Sequence, residues 1–286
     1  MDKTTLGDRM KNNYENISRY YLTRRMPVII RIDGKAFHTF TRGFQKPFDD
    51  VLVKTMQETM KYLCENIQGC VLGYTQSDEI SLVLIDYAEL TTDAWFGNNL
   101  QKMCSVSASM ATMAFNKFFR ENIEDWGYAN FPDFAEGGTN EEVDANLIKR
   151  CNIYFSRCNT AMFDSRVFTI PKEEVCNYFL WRQQDATRNS IQSVGQANFS
   201  QKELHGKSCN DIQDMLMTQK GINWNDYVTT LKRGSCCIKV DDSLTKYDEV
   251  GNICDYIQRS KWIIDNEIPI FSQNRSYIDK LINIGG

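Results

Sequence analysis

The sequence predicts an α+β fold built on a βαββαβ unit, the ferredoxin-like order, extended at its C-terminal end by a further helical and β region. Three observations carry that prediction. Two short apolar runs stop at acids, Val28–Ile32 at Asp33 and Ile80–Ile85 at the preceding pair Asp78-Glu79. An amphipathic stretch lies between them, and a second amphipathic stretch followed by a strand candidate comes after.

Met1-Asp2-Lys3 leads into a polar helix. Val28-Ile29-Ile30-Arg31-Ile32 is β-branched and ends at Asp33-Gly34, where the chain must turn. Val51, Leu52, Thr55-Met56, Met60 and Leu63 have the spacing of a packed helix beginning near Phe48 or Asp49. Cys70 to Thr75 turns through Gln76-Ser77-Asp78 and returns as Glu79 to Ile85, a hairpin with acid at its tip. Leu100, Met103-Cys104, Ala108, Ala111, Phe115 and Phe118-Phe119 mark the second helix, and Met162 to Ile170 the next strand. In this topology the first and third strands are antiparallel neighbours, so Asp33 and the Asp78-Glu79 pair should meet although they are far apart in sequence.

The polar stretch Tyr128 to Asn146, with Pro132 and Gly137-Gly138, reads as a long loop or insertion. It divides residues 1–150, a catalytic core with the metal and nucleotide site, from residues 151–286, which add the last core strand, a helical region and a C-terminal arm. The two parts are expected to form one compact unit. Pro171 suits the first turn of a helix, with Glu173 and Glu174 at its positive end and Val175, Tyr178-Phe179 and Arg182-Gln183 in register. Ser208 to Met217 reads as a short helix, and Lys232-Arg233-Gly234-Ser235 leads into a strand from Cys236 to Val240. Lys261 to Ile284 shows no periodicity that distinguishes helix from strand.

Composition narrows the function. The chain has 286 residues, 42% hydrophobic and 24% charged, an ordinary globular balance. No apolar run reaches the length of a membrane span and no signal peptide is evident, so a cytoplasmic protein with no membrane association is expected. Ten cysteines show no C-x-x-C pair and only His38 and His205 exist to support zinc, so the thiols read as reduced core residues. A net charge of −4 offers nucleic acid no global attraction, and any RNA contact must use local cations.

Carboxylates from two strand ends meeting in one sheet suit Mg²⁺, which takes one or two carboxylates together with water and substrate phosphate. Two such ions ~4 Å apart can activate a hydroxyl and stabilise a leaving pyrophosphate. Glu79, one residue from Asp78 on an extended strand, should point to the other face unless the turn redirects it. Gly34, Lys35, Ala36, Phe37 and His38 follow Asp33 directly, and backbone amides in a tight turn there can approach a triphosphate; there is no P-loop. Phe37 and Phe40 either stack on a ligand or anchor the loop, and anchoring is the preferred reading. Lys46, just ahead of a helix N-terminus, is either a phosphate contact or a solvated lysine. Lys232 and Arg233 are candidates for phosphate or RNA backbone, with a solvated surface role as the alternative. Arg182 and Asp185 stand at i,i+3 spacing and can pair with each other instead of with substrate.

Arg31-Ile32-Asp33-Gly34-Lys35-Ala36-Phe37-His38, Lys46-Pro47-Phe48-Asp49, Tyr74-Thr75-Gln76-Ser77-Asp78-Glu79 and Trp181-Arg182-Gln183-Gln184-Asp185 together resemble the tRNA-His guanylyltransferase family. The similarity spans most of residues 6 to 240. It implies a polymerase-type palm, a nucleotidyltransferase that extends the 5′ end of tRNA in the 3′-to-5′ direction, and ATP and GTP or other nucleoside triphosphates as substrates. It further implies two Mg²⁺ ions held by Asp33, the Gly34 carbonyl and Asp78, with Asp33, Asp78 and Glu79 as the catalytic carboxylates. Residues 33 to 38 and Ser77-Asp78 would contact nucleotide, Lys46 and Asp49 would lie near triphosphate, and the protein would be a homotetramer.

One segment departs from the family. In the enzymes dedicated to tRNA-His, Trp-Arg-Gln-x-Asp-x is followed by His-Ile-Asn-Asn-Leu-Tyr-Asn; here Asp185-Ala186 is followed by Thr187-Arg188-Asn189-Ser190-Ile191-Gln192-Ser193, and only Asn189 keeps its identity. The sequence resembles instead the guanylyltransferase-like branch, which repairs truncated tRNA 5′ ends using the opposite strand of the acceptor stem as template. Arg182, Arg188, Asn189, Lys232 and Arg233 are the candidate tRNA contacts. The competing readings are a dedicated tRNA-His guanylyltransferase adding an untemplated G, a nucleotide cyclase on a related palm, and a non-catalytic RNA-binding module.

Overall fold

A computed structural model describes residues 5–131, 144–247 and 253–283. Its centre is a six-stranded sheet in the order β4-β1-β3-β2-β5-β8. These strands are β1 (Val28–Gly34), β2 (Cys70–Gln76), β3 (Glu79–Leu84), β4 (Phe163–Thr169), β5 (Ser235–Asp241) and β8 (Ser260–Asp265), and every pairing is antiparallel. The expected adjacency of the first and third strands is present: the register sets Asp33 opposite Glu79, while on its other side Asp33 faces Asp164 of β4.

Both faces of the sheet are covered, which is why β1 and β3 read as nearly continuous apolar runs. Side chains alternate. Ile30, Ile32, Ile80 and Leu82 enter a core shared with α1 (Asp50–Asn66) and α2 (Leu100–Asn130), whereas Ile29 and Val83 enter a second core under α4 (Lys172–Asn198). Asp49 caps α1 by accepting from the Leu52 amide at 3.0 Å, and Asn99 caps α2 by accepting from the Lys102 amide at 3.0 Å. Pro171 sits at the start of α4, with Glu173 and Glu174 in its first turn.

The Tyr128 to Asn146 stretch differs from the expected loop at both ends. α2 continues to Asn130 and α3 (Ala145–Arg157) starts before the stretch closes, while residues 132–143 lie outside the described part. Asp144 caps α3, accepting from the Asn146 amide at 2.8 Å. The stretch that showed no periodicity contains β8, paired with β5, and a helix at Ser276–Ile282 that buries Ile278 and Ile282. An edge strand without a fully buried position and a helix of seven residues are too short for either period to show. A second, two-stranded sheet of β6 (Leu244–Tyr247) and β7 (Ile253–Ile257) was also not foreseen. Cys64, Cys70, Cys104, Cys151, Cys158, Cys176, Cys209, Cys236 and Cys237 are free thiols, and no described helix is long and apolar enough to cross a membrane.

Candidate active site

The β2–β3 hairpin turns at Ser77, whose φ of 51° lies in the left-handed region, and this brings Asp78 beside the end of β1. The Gly34 amide donates to the Asp78 carbonyl at 3.1 Å, tying the two acidic strand ends together through backbone. Position 34 must be glycine, because a Cβ there would sit 2.3 Å from the Phe37 ring. Phe37 is buried against Phe40 at 4.8 Å, Phe163 at 5.1 Å and Phe115 at 5.4 Å, so it and Phe40 anchor the loop in the core. Ala36 takes a left-handed φ of 54°, and Phe37–Phe40 form one helical turn whose leading amides have no carbonyl four residues back within it.

A cleft of about 570 Å³ opens at this corner of the sheet. Asp33, Gly34, Ser77 and Asp78 form one side, and Ala36, Phe37, His38, Lys46 and Asp49 another. Ala186, Asn189, Ser190 and Ser193 of α4 face them, and Thr230, Leu231, Lys232 and Gly234 close the rim. Burial pushes the Asp78 carboxyl up from its ordinary range, and the charge of Asp33 beside it adds to the rise. Two adjacent carboxylates, one held unfavourably in its charged form, suit a cation. No described group of three His, Cys, Asp or Glu side chains exists to bind one. Two carboxylates are nonetheless the kind of donors Mg²⁺ takes, since it completes its shell with backbone oxygen, water and phosphate.

The other candidate residues fall into different places. Lys46 is exposed on the cleft rim. Asp49 lines the cleft, yet its carboxylate is already engaged by the amides of Gln45 and Leu52 and by the Tyr154 hydroxyl at 2.6 Å. Lys35 is exposed, does not line the cleft, and its amide donates to the Met162 carbonyl. Lys232 lines the rim, donating to the Asn225 carbonyl at 2.6 Å. Arg233 does not line it; its carbonyl accepts from the Tyr74 hydroxyl at 2.6 Å and its Nε is buried without a hydrogen-bond partner. Arg188 is exposed and pairs with Asp185.

Glu79 and Arg182 are not in the cleft. Arg182 is 3% exposed and donates from Nε to Glu79 Oε1 at 2.7 Å and from Nη2 to Glu79 Oε2 at 2.8 Å. Its Nη2 also reaches Asp185 at 2.8 Å, so the i,i+3 pair is present, and the Nε and Nη2 donors of this candidate tRNA contact are turned to carboxylates of the protein. Arg31 holds Glu79 from the other side, with Nη2 to Oε2 at 2.6 Å. Arg31 was not singled out from the sequence, although a charge inside the apolar run Val28–Ile32 was a signal that a buried partner must exist. Ser190 likewise proves to be committed, accepting from Trp224 Nε1 at 3.0 Å.

Residues 7–171 match the family described as Thg1: tRNAHis guanylyltransferase. Among solved structures, a bacterial tRNA(His) guanylyltransferase (Thg1)-like protein in complex with ATP is 43% identical, covers 98% of this chain and 100% of its own, and superposes with a TM-score of 0.74. A GTP complex of a bacterial Thg1-like protein is 41% identical over the same shares, with a TM-score of 0.71. The tRNA(His) guanylyltransferase of Debaryomyces hansenii is 24% identical over 84% of this chain and 85% of its own length. The chain belongs to the Thg1 family of tRNA-His guanylyltransferases and is a nucleotidyltransferase.

Proposed function

We propose that the protein adds nucleotides in the 3′-to-5′ direction to truncated tRNA 5′ ends, choosing each by pairing with the opposite strand of the acceptor stem. The sheet order β4-β1-β3-β2 supports reading its core as a ferredoxin-like palm, with residues 1–150 and 151–286 working as one unit. The observation that carries the repair reading is the α4 wall: beside Asn189, its other lining residues Ala186, Ser190 and Ser193 are small, and Ser190 is already bonded to Trp224. That wall presents little to recognise one particular tRNA, and pairing is left to select.

The chemistry is two in-line displacements. In the first, a 5′-phosphate oxygen of the tRNA attacks the α-phosphate of ATP or GTP and pyrophosphate leaves. In the second, the 3′-hydroxyl of the incoming nucleotide attacks the tRNA 5′-phosphorus, and the activating nucleoside monophosphate leaves with the electron pair. Both rely on positioning and charge neutralisation. Asp33, Asp78 and the Gly34 carbonyl would hold two Mg²⁺ ions, which when bound neutralise phosphate charge and lower the pKa of the attacking hydroxyl. The Gly34–His38 turn and Ser77 cradle the nucleotide, Lys46 neutralises its triphosphate, and Asn189 and Lys232 orient the tRNA end.

The test is a tRNA set lacking the first 5′ nucleotide, with the opposing base varied through all four, beside full-length tRNA-His. Addition of whichever nucleotide pairs, on tRNAs of several identities, is expected. Guanosine added regardless of that base, or only to full-length tRNA-His, would replace this reading with the dedicated guanylyltransferase.

A further inference from the structure

α4 crosses the sheet in successive contacts that stop just short of the cleft. Tyr178 and Ser81 share a hydroxyl hydrogen bond at 2.7 Å, and one turn later Arg182 grips Glu79 through two. Another turn brings Ala186, and beyond it Asn189, Ser190 and Ser193 face the cleft. Glu79 is the first residue of β3. The helix therefore overhangs the end of the strand, and the Arg182–Glu79 pair is its last side-chain hydrogen bond to the sheet among the described residues.

The same carboxylate anchors the other side of the cleft. Glu79 follows Asp78 directly and is held by Arg31, two residues before Asp33 on the neighbouring strand. Trp181 lies over both guanidinium groups, 4.4 Å from that of Arg182 and 5.7 Å from that of Arg31. Stability alone does not explain this network. Buried ion pairs give back in desolvation much of what they gain, and apolar replacements of similar volume are often as stable. A bidentate guanidinium–carboxylate pair does what apolar contact cannot: it fixes distance and orientation together.

We propose that Glu79 and Arg182 are a positioning pair that sets the gap between the Asp33 and Asp78 carboxylates and the α4 wall, and through that gap the enzyme's preference for a correctly paired nucleotide. The inference rests on the template-dependent reading above. A paired nucleotide presents its 3′-hydroxyl in line with the activated phosphate, and a mismatched one is displaced. A wall at fixed distance converts that displacement into a rate difference, whereas a wall free to drift tolerates it. Neither Glu79 nor Arg182 needs to touch substrate.

The test measures kcat/KM for matched and mismatched addition on 5′-truncated tRNA with wild type, Glu79→Gln, Arg182→Lys and Glu79→Asp. The matched-to-mismatched ratio does not depend on how much of a preparation is folded, so a merely structural role would leave it unchanged. Glu79→Gln and Arg182→Lys should lower the ratio by about tenfold or more. Glu79→Asp, which keeps the charge and shortens the reach, should fall between them and wild type, and it decides the question if the other two do not fold. Tyr178→Phe removes the helix-to-strand bond one turn farther from the cleft and should leave the ratio at the wild-type value. An unchanged ratio in folded Glu79→Asp, or an equal fall in Tyr178→Phe, overturns the proposal. If wild type itself ignores the opposing base, the template reading fails. The pair is then judged by kcat for addition to full-length tRNA, which must fall in Glu79→Gln and hold in Tyr178→Phe.

Discussion

On the face covered by α1 and α2, the sheet meets a cluster of rings in which Phe37, Phe40, Phe44, Phe115, Phe119 and Phe163 contact one another at centroid distances of 4.8 to 5.8 Å. On the face covered by α4, the buried residues beside the cleft are Glu79, Arg182, Gln183 and Ser81, each in a specific hydrogen bond. The first face derives its strength from apolar area, a non-directional term that tolerates substitution if volume is kept. The second has its own apolar core but adds, beside the cleft, directional contacts, which contribute little net stability but hold atoms at set distances. Stability and catalytic geometry are thus separable across one sheet, and substitutions on the two faces should fail in different ways.

The largest expected effect belongs to the cleft carboxylates. Asp33→Ala or Asp78→Ala should lower nucleotide addition on the order of 10³-fold or more, while the melting temperature without divalent metal holds or rises. Substantial turnover by either variant at saturating Mg²⁺ would break the assignment of the two acids as metal ligands. The opposite failure is expected on the aromatic face. Phe119 is fully buried, and Phe119→Ala should cost about 3–5 kcal/mol of stability, read by denaturant unfolding, while kcat per folded molecule stays near wild type. If kcat falls instead with stability intact, the two faces are not separable.

Much of this division was legible in the sequence, and the exceptions have physical causes. Val28–Ile32, the Gln76–Asp78 turn and the Pro171 helix carry strong local signals, and the strand order follows from the order of the elements. The cleft floor, Asp33 and Asp78, came with them. The role of Arg182 could not be read, because the same i,i+3 spacing to Asp185 serves a surface pair and a buried network equally well. Asp49 was placed near the triphosphate by the resemblance alone; it does line the cleft, but its capping bonds and the Tyr154 hydroxyl appear only once α3 is folded against it. The C-terminal strand and helix were invisible because each is shorter than the window in which a period can be counted.

A smaller effect separates the cations on the rim of the cleft. Lys46 is exposed with no carboxylate among the described residues within ion-pair reach, and Lys46→Ala should raise the nucleotide KM about tenfold with little change in tRNA affinity. Lys232 is steadied by the Asn225 carbonyl and lies over Trp224 at 5.8 Å. Lys232→Ala should weaken tRNA binding and flatten the slope of log Kd against log salt by about one. Filter binding across a salt series, beside steady-state kinetics in ATP and GTP, distinguishes them. Equal effects of both variants on both ligands would show that the rim is one undivided patch.

The smallest effect concerns Asp78 in the absence of metal, and its sign follows from the raised carboxyl. A folded-state pKa above the unfolded value of about 3.9 means that the folded protein binds this proton more tightly. The group's stabilising contribution is present below the unfolded pKa and is lost as pH rises through the folded pKa, above which the ionised carboxylate is a cost. Asp78→Asn removes that cost, so in chelator at pH 7 the variant should melt higher than wild type, by no more than a few degrees. The gap should close on acidification toward pH 4. Mg²⁺ should reverse the order, because an ion that binds only the folded wild type stabilises it by mass action. Glu79 sets the contrast through its partners: burial raises its carboxyl too, against the pull of Arg182 and Arg31, but Glu79→Gln leaves two guanidinium groups underpaired and should lower the melting temperature at pH 7 with or without metal. Calorimetry of both variants from pH 4 to 8, in chelator and in Mg²⁺, is decisive. If Asp78→Asn melts below wild type at pH 7 in chelator, Asp78 is a structural carboxylate like Glu79, and the division between placing and holding fails at its central residue.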